Sequence, residues 1–216
     1  MRCLVIAALM FSLQVSAQPA NNANMVQLSH YALDTFYSGT VFLKNGQKYK
    51  SLLNYNTLTH EMIFEQGGKR LAIADPVNVD TVIIEGRKFI PVNEEFYEVL
   101  TGTPIALCVQ YICTVKPPGN VIGYGLSSDA SANTDVSMMQ HSNRSYYLKL
   151  PDDYKVTMRR QYFLYKSGQF LKANNLKQIE KVFPDKETLI KTYDKENNVN
   201  FSKPLEVAML IRSIQS

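Results

Sequence analysis

Between Tyr37 and Val115 the chain alternates apolar and polar residues in short runs broken by turn-forming pairs, the period-two pattern of half-buried strands. Gly39–Leu43 and Lys48–Tyr55 flank Asn45-Gly46. Asn-Gly tolerates positive φ at both central positions of a tight turn, so a hairpin is expected there. Glu61–Glu65 and Arg70–Ala74 flank Gly67-Gly68, and Val79–Ile84 and Arg87–Val92 flank Glu85-Gly86, which predicts two more hairpins. Ile105–Val115 is a longer β-forming run. Its residues Ile105, Leu107, Val109, Tyr111, Cys113 and Val115 share one face, expected to be the buried one. Further strands are expected over Tyr146–Leu150 and Lys155–Tyr165, with turns at Pro151–Asp153 and Ser167-Gly168.

After Asn174-Asn175 the period changes to that of helices. Leu176, Ile179 and Val182-Phe183 make one short apolar stripe, which Pro184 interrupts. Asp185 is expected to cap a second helix carrying Leu189, Ile190 and Tyr193, ended by Asn197-Asn198. A third helix accepts Pro204 in its first turn and places Val207, Leu210, Ile211 and Ile214 at i, i+3, i+4 and i+7. The fold class expected is α+β. An antiparallel β-rich region over 37–115, built as a meander, a sandwich or a partly closed barrel, precedes further strands over 146–173 and a small helical region over 174–216. Residues 18–36 form an N-terminal segment. Residues 116–145, which open on Lys116-Pro-Pro-Gly-Asn120 and continue in small polar residues, read as a flexible loop or linker.

The first seventeen residues read as a signal peptide: Arg2, an apolar run over Leu4–Leu13, and small residues at Val15-Ser16-Ala17. Export is the expectation, to the periplasm, the cell surface or the medium. It argues against cytosolic cofactor enzymes, nucleotide switches and nucleic-acid partners. No second apolar stretch is long enough to cross a bilayer, so no transmembrane segment is expected in the mature chain. A hydrophobic fraction of 45% with 19% charged residues describes a folded domain, and a formal charge of +4 without a basic run describes no nucleic-acid stripe. Cys3 leaves with the signal and lacks a preceding lipobox-like run. Cys108 and Cys113 remain. In a straight strand five residues span roughly 16 Å, while bridged Cα atoms lie within about 7 Å, and the odd spacing puts the thiols on opposite faces. A disulfide needs a bend between them; without one, both are buried free cysteines.

The segment from Leu176 through Phe183-Pro-Asp-Lys186 to Tyr193, followed by Asn198-Val-Asn-Phe-Ser202, resembles the C-terminal part of many exported proteins of Bacteroidetes. Gly39–Gly46 with Leu53-Asn-Tyr-Asn56 looks like the β-rich part of the same group. The resemblance covers about half the mature chain. It implies an exported address and a two-part layout, and carries no catalytic residue.

Candidate chemistry is sparse. His30, His60 and His141 stand alone, without the spacing of a metal site, and His60 beside Glu61 reads as a polar residue at a strand edge. Gly123-Tyr-Gly-Leu-Ser127 places its serine wrongly for a nucleophile elbow. Glu94-Glu95 and Asp152-Asp153 are adjacent pairs whose members point to opposite faces of a strand, so each is expected to cap a turn. Tyrosine and phenylalanine are plentiful, 13 and 10, with dense runs at Tyr146-Tyr147 and Tyr162-Phe163 with Tyr165. Such rings suit a ligand platform or a strand core equally. Arg159-Arg160 offers charge to an acidic partner on one side only. Asn143-Arg-Ser145 and Asn200-Phe-Ser202 match the glycosylation sequon, which has meaning only in a eukaryotic secretory pathway. No cofactor is expected. The reading favoured is an exported, non-enzymatic binding or structural protein of the cell envelope, partnered by an envelope protein or a glycan. The alternative is a secreted hydrolase whose site assembles only in three dimensions, for instance around His60 or His141.

Overall fold

A computed structural model describes residues 30–116, 120–122, 126–128 and 155–216. Twelve strands run in chain order: β1 Tyr37–Leu43, β2 Lys48–Asn56, β3 Glu61–Gln66, β4 Lys69–Ala72, β5 Val79–Ile84, β6 Arg87–Val92, β7 Glu95–Val99, β8 Ala106–Lys116, β9 Asn120–Ile122, β10 Leu126–Ser128, β11 Lys155–Lys166 and β12 Gln169–Lys172. Among the described residues three α-helices follow: α1 Leu176–Val182, α2 Glu187–Asn197 and α3 Pro204–Gln215. Ten strands form one antiparallel sheet in the order β12-β11-β8-β7-β6-β5-β1-β2-β3-β4, and β9 and β10 pair separately. All three hairpins read from the glycine pairs are present, with Gly46, Gly67, Gly68 and Gly86 at positive φ. The protein is therefore α+β, a β-rich body with helices at its C-terminal end.

The sheet coils without closing. Strand β7 pairs with β8 only at Glu98↔Val109 and Val99↔Cys108. Beyond that the strands part, and the Cys113 N–H donates instead to the Thr57 carbonyl at 2.9 Å, so the β2–β3 turn reaches across to β8. Asn54, fully buried, ties the preceding segment down: its Nδ2 donates to the carbonyls of Leu33 and Thr35, and its Oδ1 accepts from the N–H groups of Leu33 and Tyr55. Gly39 on β1 lies where a Cβ would meet the Ile83 carbonyl at 2.6 Å, which lets β1 and β5 pack closely.

The inner face of the sheet carries Leu53, Tyr55, Met62, Val82, Phe89, Phe96, Leu107, Val109, Tyr162 and Leu164, and the helices cover part of it with Ile179, Ile190, Val207, Leu210, Ile211 and Ile214. Each fully buried large apolar side chain stabilises by roughly 1.5–3 kcal/mol relative to exposure. The i, i+3, i+4, i+7 stripe of α3 is the face that enters this core, while Leu205 and Met209 on its other side are exposed. Gln215 holds α3 to the sheet by pairing both ways with the Ile105 backbone.

Two local expectations need correction. Asp185 does not cap α2: Pro184–Lys186 form a 3-10 turn, and α2 starts at Glu187 behind Lys186, with no side-chain cap. The capping side chain is Asn175, whose Oδ1 accepts from the Gln178 N–H at the start of α1. The expected stripe of strand β8 is buried from Leu107 to Val115, but its other face is buried too at Cys108 and Gln110, before Ile112 is half-buried and Thr114 exposed. Val92, Tyr97 and Phe163 make a second apolar cluster around Cys108. The signal sequence, the strand expected over 146–150 and most of the 116–145 loop lie outside the described residues.

Candidate functional site

Two turns on neighbouring parts of the coiled sheet carry residues in the left-handed region. His60 (φ 60°) ends the β2–β3 turn, and Asn93 (49°) and Glu94 (72°) make the β6–β7 turn. Non-glycine residues seldom adopt this backbone, and where they do a functional reading is worth testing. Here it sets His60 beside Glu95, with Nδ1 2.8 Å from Oε1. The other carboxylate oxygen accepts from Gln110 Nε2 at 2.5 Å. An ionised carboxylate only accepts, so Nδ1 is the donor of this contact.

His60 and Glu95 line an open cleft of about 1,110 Å³, with Gln110 behind Glu95. Glu61, Asp75, Glu94 and Glu95 contribute four carboxylates to its walls against the cations Lys69 and Arg70, so the lining is acidic although the chain as a whole is basic. Its apolar part comes from Leu71, Ile73 and Val77 as well as Met62 and Phe96. His60 is thus more than a polar edge residue, and its carboxylate partner is Glu95, 35 residues away, not the adjacent Glu61. Glu95 does not cap a turn: it is clamped between His60 and Gln110. Neither partner was legible in the sequence, because strand register and sheet coiling alone bring them together.

No nucleophile completes this dyad among the described residues. Thr59 also lines the cleft, but its Oγ1 is buried without a hydrogen-bond partner. Cys108 and Cys113 are free and buried. Burial pushes the Cys108 thiol up to about 12. Burial also raises Cys113, against a hydrogen bond with Thr57 that lowers it. Neither is a thiolate at neutral pH, and reactivity belongs to the thiolate. His30 is buried under the β2–β3 turn, where its carbonyl accepts from Thr57 N and Oγ1. Burial, then the charge of Arg70, lowers its pKa to about 4. His141, Tyr146-Tyr147 and Asp152-Asp153 lie outside the described residues. Among the described residues no three His, Cys, Asp or Glu converge to hold a metal ion.

The remaining aromatic and basic candidates divide between the faces of β11. Tyr162 enters the core and its hydroxyl donates to the Phe201 carbonyl. Phe163 lies on the opposite face in a cluster with Tyr97 (ring centroids 5.1 Å apart), which Phe170 and Tyr165 extend. The run Tyr162-Phe163 with Tyr165 is therefore not one platform. Arg159 is exposed, whereas Arg160 is half-buried, 6.0 Å from the Tyr111 ring. Tyr111 belongs to a buried polar cluster on the core face. Glu98 accepts from Arg87 Nε and Nη2, both at 2.8 Å, and from the Tyr111 hydroxyl at 2.5 Å. Burial, then the charge of Glu98, raises the Tyr111 pKa.

No protein-family model, no curated protein and no solved structure matches this chain. Among the described residues no helix is long and apolar enough to cross a membrane.

Proposed function

We propose that this chain is an exported, non-enzymatic binding protein of the cell envelope, and that the acidic cleft beside His60 is its recognition site. The observation that carries the reading is the pairing of a preorganised polar triad, His60–Glu95–Gln110, with an open, charged cleft, where among the described residues no nucleophile touches the imidazole. Fixed hydrogen-bonding groups in a concave site give orientation and specificity to a bound ligand. Four carboxylates against two cations favour a basic segment of an envelope protein over a neutral glycan, since complementary charge steers encounter and suppresses wrong partners.

The test is affinity capture from the envelope fraction with the tagged protein and, in parallel, with His60→Ala and Glu95→Gln. A stoichiometric partner retained by the parent protein and lost from both variants supports the cleft as the binding site. The second reading, a hydrolase, draws on the same His60–Glu95 contact, because a carboxylate-oriented imidazole is half of a general-base system. Ester or amide hydrolysis by the parent protein that His60→Ala abolishes would replace the binding reading with that one.

A further inference from the structure

The face of the sheet turned away from the helices carries a row of residues fixed by register. Lys88 on β6 pairs with Val99 on β7, Val99 with Cys108 on β8, Cys108 with Phe163 on β11, and Phe163 with Lys172 on β12. Directly paired residues point to the same side of a sheet, so the two lysines close the ends of one apolar row. Four strand spacings put their backbones roughly 19 Å apart. Burial agrees with the register: Cys108 and Phe163, with Val99 packed against them, belong to the second apolar cluster, which contains no helix residue.

Rings and cations share this face. Tyr97 stacks on Phe163, and Phe170 and Tyr165 continue the cluster towards the β11–β12 turn. Tyr165 is 40% exposed and Phe170 half-buried, so the rings surface near Lys172. Lys88 and Lys172 are exposed and make no ion pair among the described residues. Burial raises the Cys108 thiol and the Lys88 charge acts on it in the opposite sense, so that ammonium stands near the row. Alternation along β11 from Phe163 adds the exposed Arg159 and Lys155 to the same side. Glu95, the carboxylate on this face of β7, is already held by His60 and Gln110.

We infer that this face binds an acidic polysaccharide, a linear chain whose carboxylates meet Lys172 and Lys88 while its sugar rings lie on Tyr165, Phe170 and the row between. A sugar ring presents C–H bonds on its faces and hydroxyls around its edge, which suits an aromatic surface flanked by polar groups. Cations at both ends of an apolar row suit a chain that crosses the strands with charge repeated along it. This face is distinct from the His60 cleft, and the inference does not depend on the function proposed there. An acidic protein segment answers the same charge, and the experiment separates the two.

The experiment is calorimetric titration of the purified protein with oligogalacturonate, with a neutral cello-oligosaccharide of equal length, and with polyglutamate. Saturable binding of oligogalacturonate is expected, weakening severalfold between about 50 mM and about 500 mM salt. The neutral chain should not bind. Lys88→Glu/Lys172→Glu should weaken oligogalacturonate about tenfold or more. Lys177→Glu/Lys195→Glu makes the same change of net charge on α1 and α2 and should stay within about twofold. Tyr165→Ala removes an exposed ring and should cost about threefold or more; it tests the same face if the charge reversal disturbs folding, which circular dichroism checks. Absence of saturable oligogalacturonate binding overturns the inference, as does equal binding of the neutral chain. An equal loss in both double variants would reduce the attraction to net charge and overturn it too. Polyglutamate binding as tightly, with Tyr165→Ala unchanged, would replace the polysaccharide by an acidic protein segment.

Discussion

Replacing Glu98 by leucine should be among the most damaging single changes in this protein, and the structure says why. The Glu98 carboxylate is buried in the core face of β7 and accepts three hydrogen bonds, two from Arg87 and one from Tyr111. Without it, the Arg87 guanidinium keeps one long hydrogen bond of 3.4 Å to the Ala32 carbonyl and its place over the Phe89 and Tyr111 rings, and the Tyr111 hydroxyl loses its acceptor. Removing one partner of a buried ion pair costs about 3–5 kcal/mol, because the other charge stays desolvated and uncompensated. The Arg87 side chain is 25% exposed, which lets water reach it and favours the lower end. The stranded hydroxyl adds about 1 kcal/mol. Glu98→Leu should therefore lose about 3–4 kcal/mol in urea unfolding, read as a lower midpoint at unchanged slope. The double variant Arg87→Met/Glu98→Leu removes both charges and should recover most of that loss, ending within about 1–2 kcal/mol of the parent. A loss below about 1 kcal/mol for Glu98→Leu, or a double variant no more stable than the single, would show that desolvation of Arg87 is not what the pair relieves.

Three other outcomes follow from local geometry. Gly39→Ala should cost about 1–3 kcal/mol, because its Cβ would meet the Ile83 carbonyl at 2.6 Å and Leu53 at 2.8 Å; thermal unfolding checks this, and an unchanged midpoint would contradict the close approach of β1 and β5. Asn54→Ala removes three hydrogen bonds that hold the chain near Leu33 and Thr35, so amide exchange over residues 31–36 should speed up well before that of β8, at a global cost of about 2–4 kcal/mol; uniform exchange would argue against it. His30 is held neutral when folded, with a pKa of about 4 against an ordinary 6.5. Above pH 6.5 it adds no pH dependence. As the pH falls from 6.5 towards 4 the unfolded chain takes up a proton that the folded chain refuses, so stability declines, by at most about 3 kcal/mol. His30→Gln should flatten that part of the stability profile, and an identical slope in both proteins would sink the assignment.

How much was legible depended on range. Asn45-Gly46, Gly67-Gly68 and Glu85-Gly86 announced their hairpins because a tight antiparallel turn needs residues that tolerate positive φ, a demand met within two or three positions. The apolar stripe of α3 announced its buried face because helical periodicity is a property of neighbours three and four apart. The near misses were also local. The 3-10 turn at Pro184 displaced the expected cap from Asp185, a competition between two turn geometries that both fit the same residues. Burial of the other face of β8 at Cys108 and Gln110 escaped a reading that counted alternation, since these two owe their burial to Tyr97, Phe163 and Glu95 on other strands.

The candidate site was hidden for the same reason. His60, Glu95 and Gln110 have no spacing that chemistry could prescribe, because a strand register and the coil of a ten-stranded sheet, not the chain between them, fix their distances. The sequence by itself determined the α+β class, the hairpins and the helical stripes, all consequences of short-range sterics and of which side chains avoid water. Only the tertiary structure decided that His60 meets Glu95 in an acidic cleft, and that Glu98 neutralises Arg87 inside the core. Those contacts depend on distances across the fold, and a linear order of residues does not contain them.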